Sequence, residues 1–229
     1  MPKVKIIDHP SIFSWEIKES VNDLIKLVHL DNYEADLVEA RNRPHRKKEL
    51  MVSRILLQEQ LPGCHIHYFE KRPLLKGSKK EISITNSKEL VFIMLQEEGK
   101  KTGIDVQYIS KTVDRVKHKF LNEEEFLLPG IDKLTTLNIL WSVKETLYKA
   151  YSEDKLEFKK QLIIKQVNPE AHISVNTNGS LRNEDWWWEF GSIGGENLHV
   201  VFAVEGTTQK MHERYRQFTF LDKILKNME

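Results

Sequence analysis

Glu145 and Lys149 stand four residues apart in Trp141-Ser142-Val143-Lys144-Glu145-Thr146-Leu147-Tyr148-Lys149. A carboxylate can accept a proton from a hydroxyl or hold a divalent cation, and an ammonium can offset charge on phosphate oxygens. Upstream, Thr102-Gly103-Ile104-Asp105-Val106-Gln107 supplies a second acid in Asp105. Two plainer readings stay open. Glu145 and Lys149 could form only a surface i,i+4 ion pair, worth about 0.3–0.5 kcal/mol, and Asp105 could end a strand or cap a helix.

The elements that must position these residues are legible in outline. Residues 134–151 place apolar side chains at Leu134, Leu137, Leu140, Trp141, Val143, Leu147, Tyr148 and Tyr151, the spacing of a buried or half-buried helix. On it Trp141, Glu145 and Lys149 stack along one face. Gly103-Ile104-Asp105-Val106 reads as a short buried strand delivering Asp105 at its end. Residues 110–120 read as a helix with core face Val113, Val116 and Phe120 and a basic outer face at Lys111, Arg115, Lys117 and Lys119. Asn122 follows as an N-cap with acids in the next turn, and Pro129-Gly130 breaks the chain before the Glu145 helix.

Earlier in the chain, residues 4–7 and 13–17 read as strands, and residues 20–30 as a helix capped by Ser20. Residues 31–42 are polar and suit a short helix. A basic run, Arg41 to Lys48, opens a long amphipathic helix stopped by Pro62-Gly63. Cations at a helix start oppose the macrodipole, so a bound anion would make sense of them as well as a solvated surface does. His65-Ile66-His67-Tyr68-Phe69 alternates like a strand. Cys64-His65-x-His67 could suggest a metal site, but alternation explains both histidines and no second Cys or His cluster exists elsewhere in the sequence. Residues 81–87 and 90–95 are strands, the latter apolar enough to be central. Later strands are expected at 162–167, 172–175, 186–190 and 198–204. A hairpin turn is expected at Asn176-Thr177-Asn178-Gly179, a flexible turn at residues 191–195, and a last helix at 220–227.

The chain has 229 residues with 35 basic and 34 acidic side chains, a net charge of +1. Without a global positive field, a nucleic-acid binder held by charge is not expected. The single cysteine, Cys64, excludes an intrachain disulfide and suits a reducing compartment. The first residues lack an apolar signal segment and no apolar run reaches the ~20 residues of a membrane span, so a cytoplasmic location is expected. Each half offers a helix followed by a ladder of strands, about residues 1–103 and then 104–229. The fold class is therefore α+β.

Gly103-Ile104-Asp105 and, some forty residues later, Trp141-x-x-Lys144-Glu145-x-x-x-Lys149 together resemble the marks of the 4'-phosphopantetheinyl transferase superfamily, in its larger single-chain form. The resemblance runs from about Trp15 to Val204 and is most specific at those two motifs. It implies two pseudo-symmetric α+β halves with the active site in the cleft between them. It implies transfer of the phosphopantetheine arm of coenzyme A to a serine of an acyl or peptidyl carrier protein, releasing 3',5'-adenosine bisphosphate. Magnesium would be held by Asp105, Glu145 and Gln107, with Glu145 (or a water it holds) as base and Lys149 beside the leaving phosphate. Arg46, Arg72-Pro73 and Thr85-Asn86 would contact the coenzyme's other phosphates. A monomer is implied, and the basic face at Lys111, Arg115, Lys117 and Lys119 could dock an acidic carrier or simply be solvated.

Two positions depart from the family pattern. Asn86 stands where a histidine is expected and cannot carry its charge. Gln107 stands where many relatives have a third acid, and an amide carbonyl is a weaker magnesium ligand. These departures motivate an alternative, a relative that binds coenzyme A or a carrier protein without turnover. An unrelated α+β interaction protein is the third possibility.

Overall fold

The computed structural model describes residues 11–100, 102–123, 125, 133–151, 157–160, 162–167, 173–176, 185–192 and 198–204. The chain divides into two compact units, Met1–Lys100 and Lys101–Glu229. Both mix helices with small antiparallel sheets. Among the described residues no helix is long and apolar enough to cross a membrane. The expected strand at 4–7, the break at Pro129-Gly130, the turns at 177–179 and 193–195 and the helix at 220–227 lie outside the described residues.

In the first unit β1 (Ile12–Glu16) is followed by three helices, α1 (Val21–Leu24), α2 (Asn32–Glu39) and α3 (Pro44–Gln60). The strands β2 (His65–Phe69), β3 (Arg72–Lys76), β4 (Glu81–Ser87) and β5 (Leu90–Gln96) complete it. β5 lies between β1 and β4, and β2 pairs with β3 as a hairpin. The apolar run at 90–95 is central, as its composition leads one to expect. Met51, Val52, Ile55 and Leu56 of α3 pack with Trp15, Leu24, Val91 and Ile93 to form the core of this unit. The cap at Ser20 is present, reciprocated by Asp23, yet α1 ends at Leu24 instead of running to residue 30. Past Leu24 the chain continues only as turns, with the Leu27 and Val28 amides donating to the Leu24 carbonyl. At His29 the Gln58 side chain accepts from the amide and donates to the carbonyl, which holds that backbone out of a helix. The strand β3 is hidden from the sequence pattern by Pro73, which demotes a run it interrupts; in register Pro73 faces Tyr68. After α3 the chain turns at Gly63, whose φ of 80° suits a residue without Cβ.

In the second unit β6 (Thr102–Tyr108) leads to α4 (Lys111–Val116) and α5 (Lys133–Ala150). Then come β7 (Ile163–Val167), β8 (Ile173–Asn176), β9 (Asp185–Ser192) and β10 (Leu198–Val204). Their order in the sheet is β6-β10-β9-β8-β7, with each neighbouring pair antiparallel. The core gathers Val113, Phe120, Leu137, Leu140, Val143 and Leu147 around α5. Asp105 does not stand at a strand end: β6 continues to Tyr108, paired throughout with β10, so the carboxylate projects from mid-strand. Nor does Asp105 cap the next helix, because Ser110 takes that place and accepts from the Thr112 amide.

The helix α5 lies very close to β6. A Cβ at Gly103 would stand 2.1 Å from the Thr146 carbonyl oxygen and 3.2 Å from Ala150 Cβ. Thr146 and Ala150 belong with Ser142 to one stripe of small side chains, at i, i+4 and i+8, and that stripe is what permits the approach. Gly103→Ala should therefore lower stability by about 1–3 kcal/mol through backbone displacement. The expected readout is a lower urea midpoint at unchanged slope; an unchanged midpoint would refute the close approach.

Candidate active site

Alternation along β6 puts Gly103, Asp105 and Gln107 on one face, the face on which Gly103 meets α5. The Asp105 carboxylate thus projects toward the helix that carries Glu145 and Lys149. Lys149 Nζ donates to Asp105 Oδ1 at 2.9 Å and to the Ile104 carbonyl at 2.8 Å. The lysine closes on β6 by two hydrogen bonds, one of them charge-assisted and shorter than a neutral one. This answers the plain reading of the helix motif. Among the described residues Lys149 pairs with Asp105 and makes no ion pair with Glu145.

Glu145 is half-buried and makes no hydrogen bond or ion pair among the described residues. Its pKa lies above the ordinary glutamate range. Burial is the main cause, the Asp105 charge adds to it, and Lys149 offsets part of it. A carboxylate that binds its proton more tightly is a better base toward a hydroxyl. Two carboxylates that repel one another also form an all-oxygen donor set of the kind a hard divalent cation takes. Gln107 fits that set less well, since its amide nitrogen donates to the carbonyl of its own neighbour Tyr108 at 3.0 Å.

The segment carrying Glu145 is held by a buried charge. Lys144 is fully buried, and its ammonium donates to Phe120 O at 2.6 Å, Glu125 Oε2 at 2.7 Å and Phe158 O at 3.1 Å. All three of its protons are thereby used. Burial pulls this ammonium below the usual lysine range, against the opposing attraction of Glu125. Glu125 in turn accepts from the Asn122 and Ile164 amides, while its own amide donates to Asn122 Oδ1. The expected cap at Asn122 is thus one half of a reciprocal capping box. Trp141 covers this network, with its ring 5.0 Å from Phe120 and 5.6 Å from Phe158. The tryptophan and first lysine of the motif are anchors, and Glu145 and Lys149 are the groups left facing β6.

The remaining expected residues lie in the first unit. Arg46, in the first turn of α3, donates to Glu49 at 2.8 Å. No side chain caps that helix and no acid stands in its first turn, so the cationic start is real. Arg72 on β3 donates to Glu81 on β4 at 3.1 Å, with Pro73 beside it in β3. Thr85 is buried and Asn86 half-buried near the end of β4. Lys111 and Arg115 on α4 and Lys119 in the 3-10 turn after it are exposed, whereas Lys117 of that turn pairs with Asp114 at 2.8 Å. The structure therefore brings together Asp105, Glu145 and Lys149, which belong to one unit. Glu125, which anchors Lys144, was not singled out from the sequence; the Asn122-x-x-Glu125 spacing was its only local signal.

No protein-family model matches the chain, and no curated protein matches it.

Two outcomes follow from the site's electrostatics. Lys144→Ala should cost about 3–5 kcal/mol by leaving Glu125 buried without its partner, read as a large fall in urea midpoint. Glu145→Gln should have the opposite sign near neutral pH. A carboxyl whose pKa is raised on folding binds more protons folded than unfolded, so ionising it costs stability as pH rises through that window. In chelator-treated protein the variant should melt higher than wild type at neutral pH. The gap should close below about pH 4, where the wild-type side chain is protonated in both states. A surface ion pair with Lys149 would instead make the variant melt lower at neutral pH.

Proposed function

We propose that this protein transfers the 4'-phosphopantetheine arm of coenzyme A to a serine of an acyl or peptidyl carrier protein, with magnesium as cofactor. The observation that carries the reading is the meeting of Asp105 with Lys149, beside a half-buried Glu145 of raised pKa. Two motifs forty residues apart supply these groups, and close approach at Gly103 unites them.

In this reading the serine hydroxyl oxygen forms a bond to the phosphorus that bears the pantetheine arm. The phosphoanhydride bond to the adenosine bisphosphate breaks. Glu145 takes the hydroxyl proton, helped by its raised basicity. Lys149, held against β6 by Asp105 and the Ile104 carbonyl, keeps an ammonium in place as charge builds on the departing phosphate. Asp105 and Glu145 would hold the magnesium ion, which when bound neutralises pyrophosphate charge. Arg46, Arg72, Pro73, Thr85 and Asn86 are assigned to the coenzyme's other phosphates as part of the same proposal.

Equivalence of the two halves is also proposed, and two observations support it. Among the described strands of each unit, the first pairs with the last: β1 with β5, and β6 with β10. Each unit also has a capping-box glutamate that accepts from a strand amide and meets a buried cation. These are Glu34, Ile66 and Arg54 in the first unit and Glu125, Ile164 and Lys144 in the second.

A second reading is favoured by Gln107, whose amide is turned to its own backbone, and by the uncharged Asn86. It is a relative that binds coenzyme A or a carrier without turnover. Intact-mass spectrometry of an apo carrier protein incubated with this protein, coenzyme A and magnesium separates the two. Transfer predicts a gain of one phosphopantetheine, lost without magnesium and reduced by at least about 10²-fold in rate in Glu145→Gln or Asp105→Ala. No gain with several unrelated carriers, together with thermal stabilisation by coenzyme A, would replace transfer with binding. Neither response would remove both.

A further inference from the structure

The histidines of β2 meet two carboxylates that are remote in sequence. Asp31 is the N-cap of α2 and Glu34 is its third helical residue, and the two form a capping box. That box uses Asp31 Oδ1, which accepts from the Glu34 amide, and leaves Oδ2 aimed at His67 Nε2, 2.7 Å away. Glu34 Oε1 is fixed by the Ile66 amide at 2.7 Å and by Arg54 Nε at 3.3 Å. Its Oε2 meets His65 Nδ1, also at 2.7 Å. Each carboxylate thus has one oxygen against an imidazole, and Glu34 Oε2 also accepts from the Asp31 amide at 3.4 Å.

The second unit separates what the fold needs from what is added. It builds the same anchored glutamate from Glu125, with Lys144 for Arg54 and Ile164 for Ile66. Its N-cap, however, is the amide Asn122, and the residues flanking Ile164 are Ile163 and Lys165. A buried glutamate at this place is therefore structural in both units. Asp31, His65 and His67 are additions that the structural task does not call for.

We propose that Asp31, Glu34, His65 and His67 form a binding site for a divalent transition metal of the zinc class. The ligand atoms of Asp31, Glu34 and His65 already lie within 4.8 Å of one another, and His67 joins the group through its contact with Asp31 Oδ2. Two imidazoles with two carboxylates suit zinc, whereas magnesium and calcium take oxygen sets. Ligand atoms in a tetrahedral zinc site stand roughly 3.3 Å apart, so the pairs now in contact at 2.7 Å must part and the more distant ones, His67 among them, must close in. The anchoring of Glu34 by Arg54 and the Ile66 amide is the kind of outer support that fixes ligand orientation. His65, His67 and Asp31 keep 23%, 31% and 17% of their side-chain surface exposed, which gives an ion a way in. One cation competes: Lys76 Nζ lies 3.3 Å from Asp31 Oδ2, on a side chain that is 62% exposed and free to swing away. The bound ion would tie α2 to β2. Cys64 is buried next to His65 and is not needed as a ligand. The site is separate from Asp105, Glu145 and Lys149, and it does not rest on the transferase reading.

The test is titration of the wild-type full chain with Co²⁺ in excess Mg²⁺, followed by displacement with Zn²⁺. One equivalent of Co²⁺ should give the intense visible bands of a four-coordinate site, without a thiolate charge-transfer band, and Zn²⁺ should bleach them and raise the melting temperature. His65→Gln and His67→Gln should each weaken Zn²⁺ binding by about 10–100-fold, and Lys76→Met should tighten it. The wild-type spectrum keeps the test decisive if a histidine variant fails to fold. Absence of stoichiometric Co²⁺ uptake, a weak six-coordinate spectrum, or equally tight binding in both folded histidine variants would overturn the site.

Discussion

The second unit depends on one steric allowance. Because Gly103 has no Cβ, the backbone of α5 at Thr146 can lie against β6 at a distance that no other residue permits. The small side chains of Ser142, Thr146 and Ala150 carry that closeness along the helix. At the next turn it delivers Lys149 to the Ile104 carbonyl and the Asp105 carboxylate. A helix one methyl group further out would leave the ammonium without these partners. The glycine and the charge pair are consequently one feature seen at two scales.

Burying a lysine or an arginine is costly, and both units do it. Arg54 and Lys144 are fully buried, each on the long helix, each facing a buried glutamate. Such a pair contributes little net stability over an apolar replacement, but breaking it strands a charge. What it adds is definition. Lys144 ties together the Phe120 carbonyl, the Phe158 carbonyl and Glu125, three separate points of the chain, at one place beside α5. That fixes the rotation of the helix about its axis, and rotation decides whether Glu145 faces β6 or solvent. The arginine does similar work through the Leu50 and Ile66 carbonyls.

The sequence displayed the parts of the site better than their partnerships. The helix at 134–151 and most strands were legible because their apolar spacing is dictated by burial, which acts locally and repeats. The motif residues Glu145, Lys149 and Asp105 were visible as chemistry-bearing types. Their actual pairing was not, since a helix motif advertises its i,i+4 neighbour and Lys149 instead reaches a strand forty-four residues earlier. The mid-strand position of Asp105 was missed for a related reason: polar Gln107 resembles the end of a buried strand, although the β10 ladder continues past it. α1 was overextended because the grip of Gln58 on His29 comes from another helix. The contacts of His65 and His67 with Asp31 and Glu34 were not legible, because the signal sought in the sequence was a second cluster of Cys or His. The carboxylates of α2 are thirty residues away and carry no signal at metal-ligand spacing.

Charge counting bears on the proposed chemistry of the site. Asp105 and Glu145 bring two negative charges and Lys149 one positive, so with Glu145 ionised the cluster is negative. Burial is the main reason the Glu145 pKa is raised, and the Asp105 charge adds to it. A pyrophosphate brought to the same place would meet the same repulsion, strengthened by partial burial. In the proposed reaction a divalent cation would reverse the sign of the cluster and offset the repulsion in both cases. Phosphoryl transfer and metal dependence therefore stand or fall as a pair at Asp105 and Glu145. Coenzyme binding that ignores metal would have to draw on cations elsewhere, such as Arg46 or Arg72, and would leave these two acids without a task.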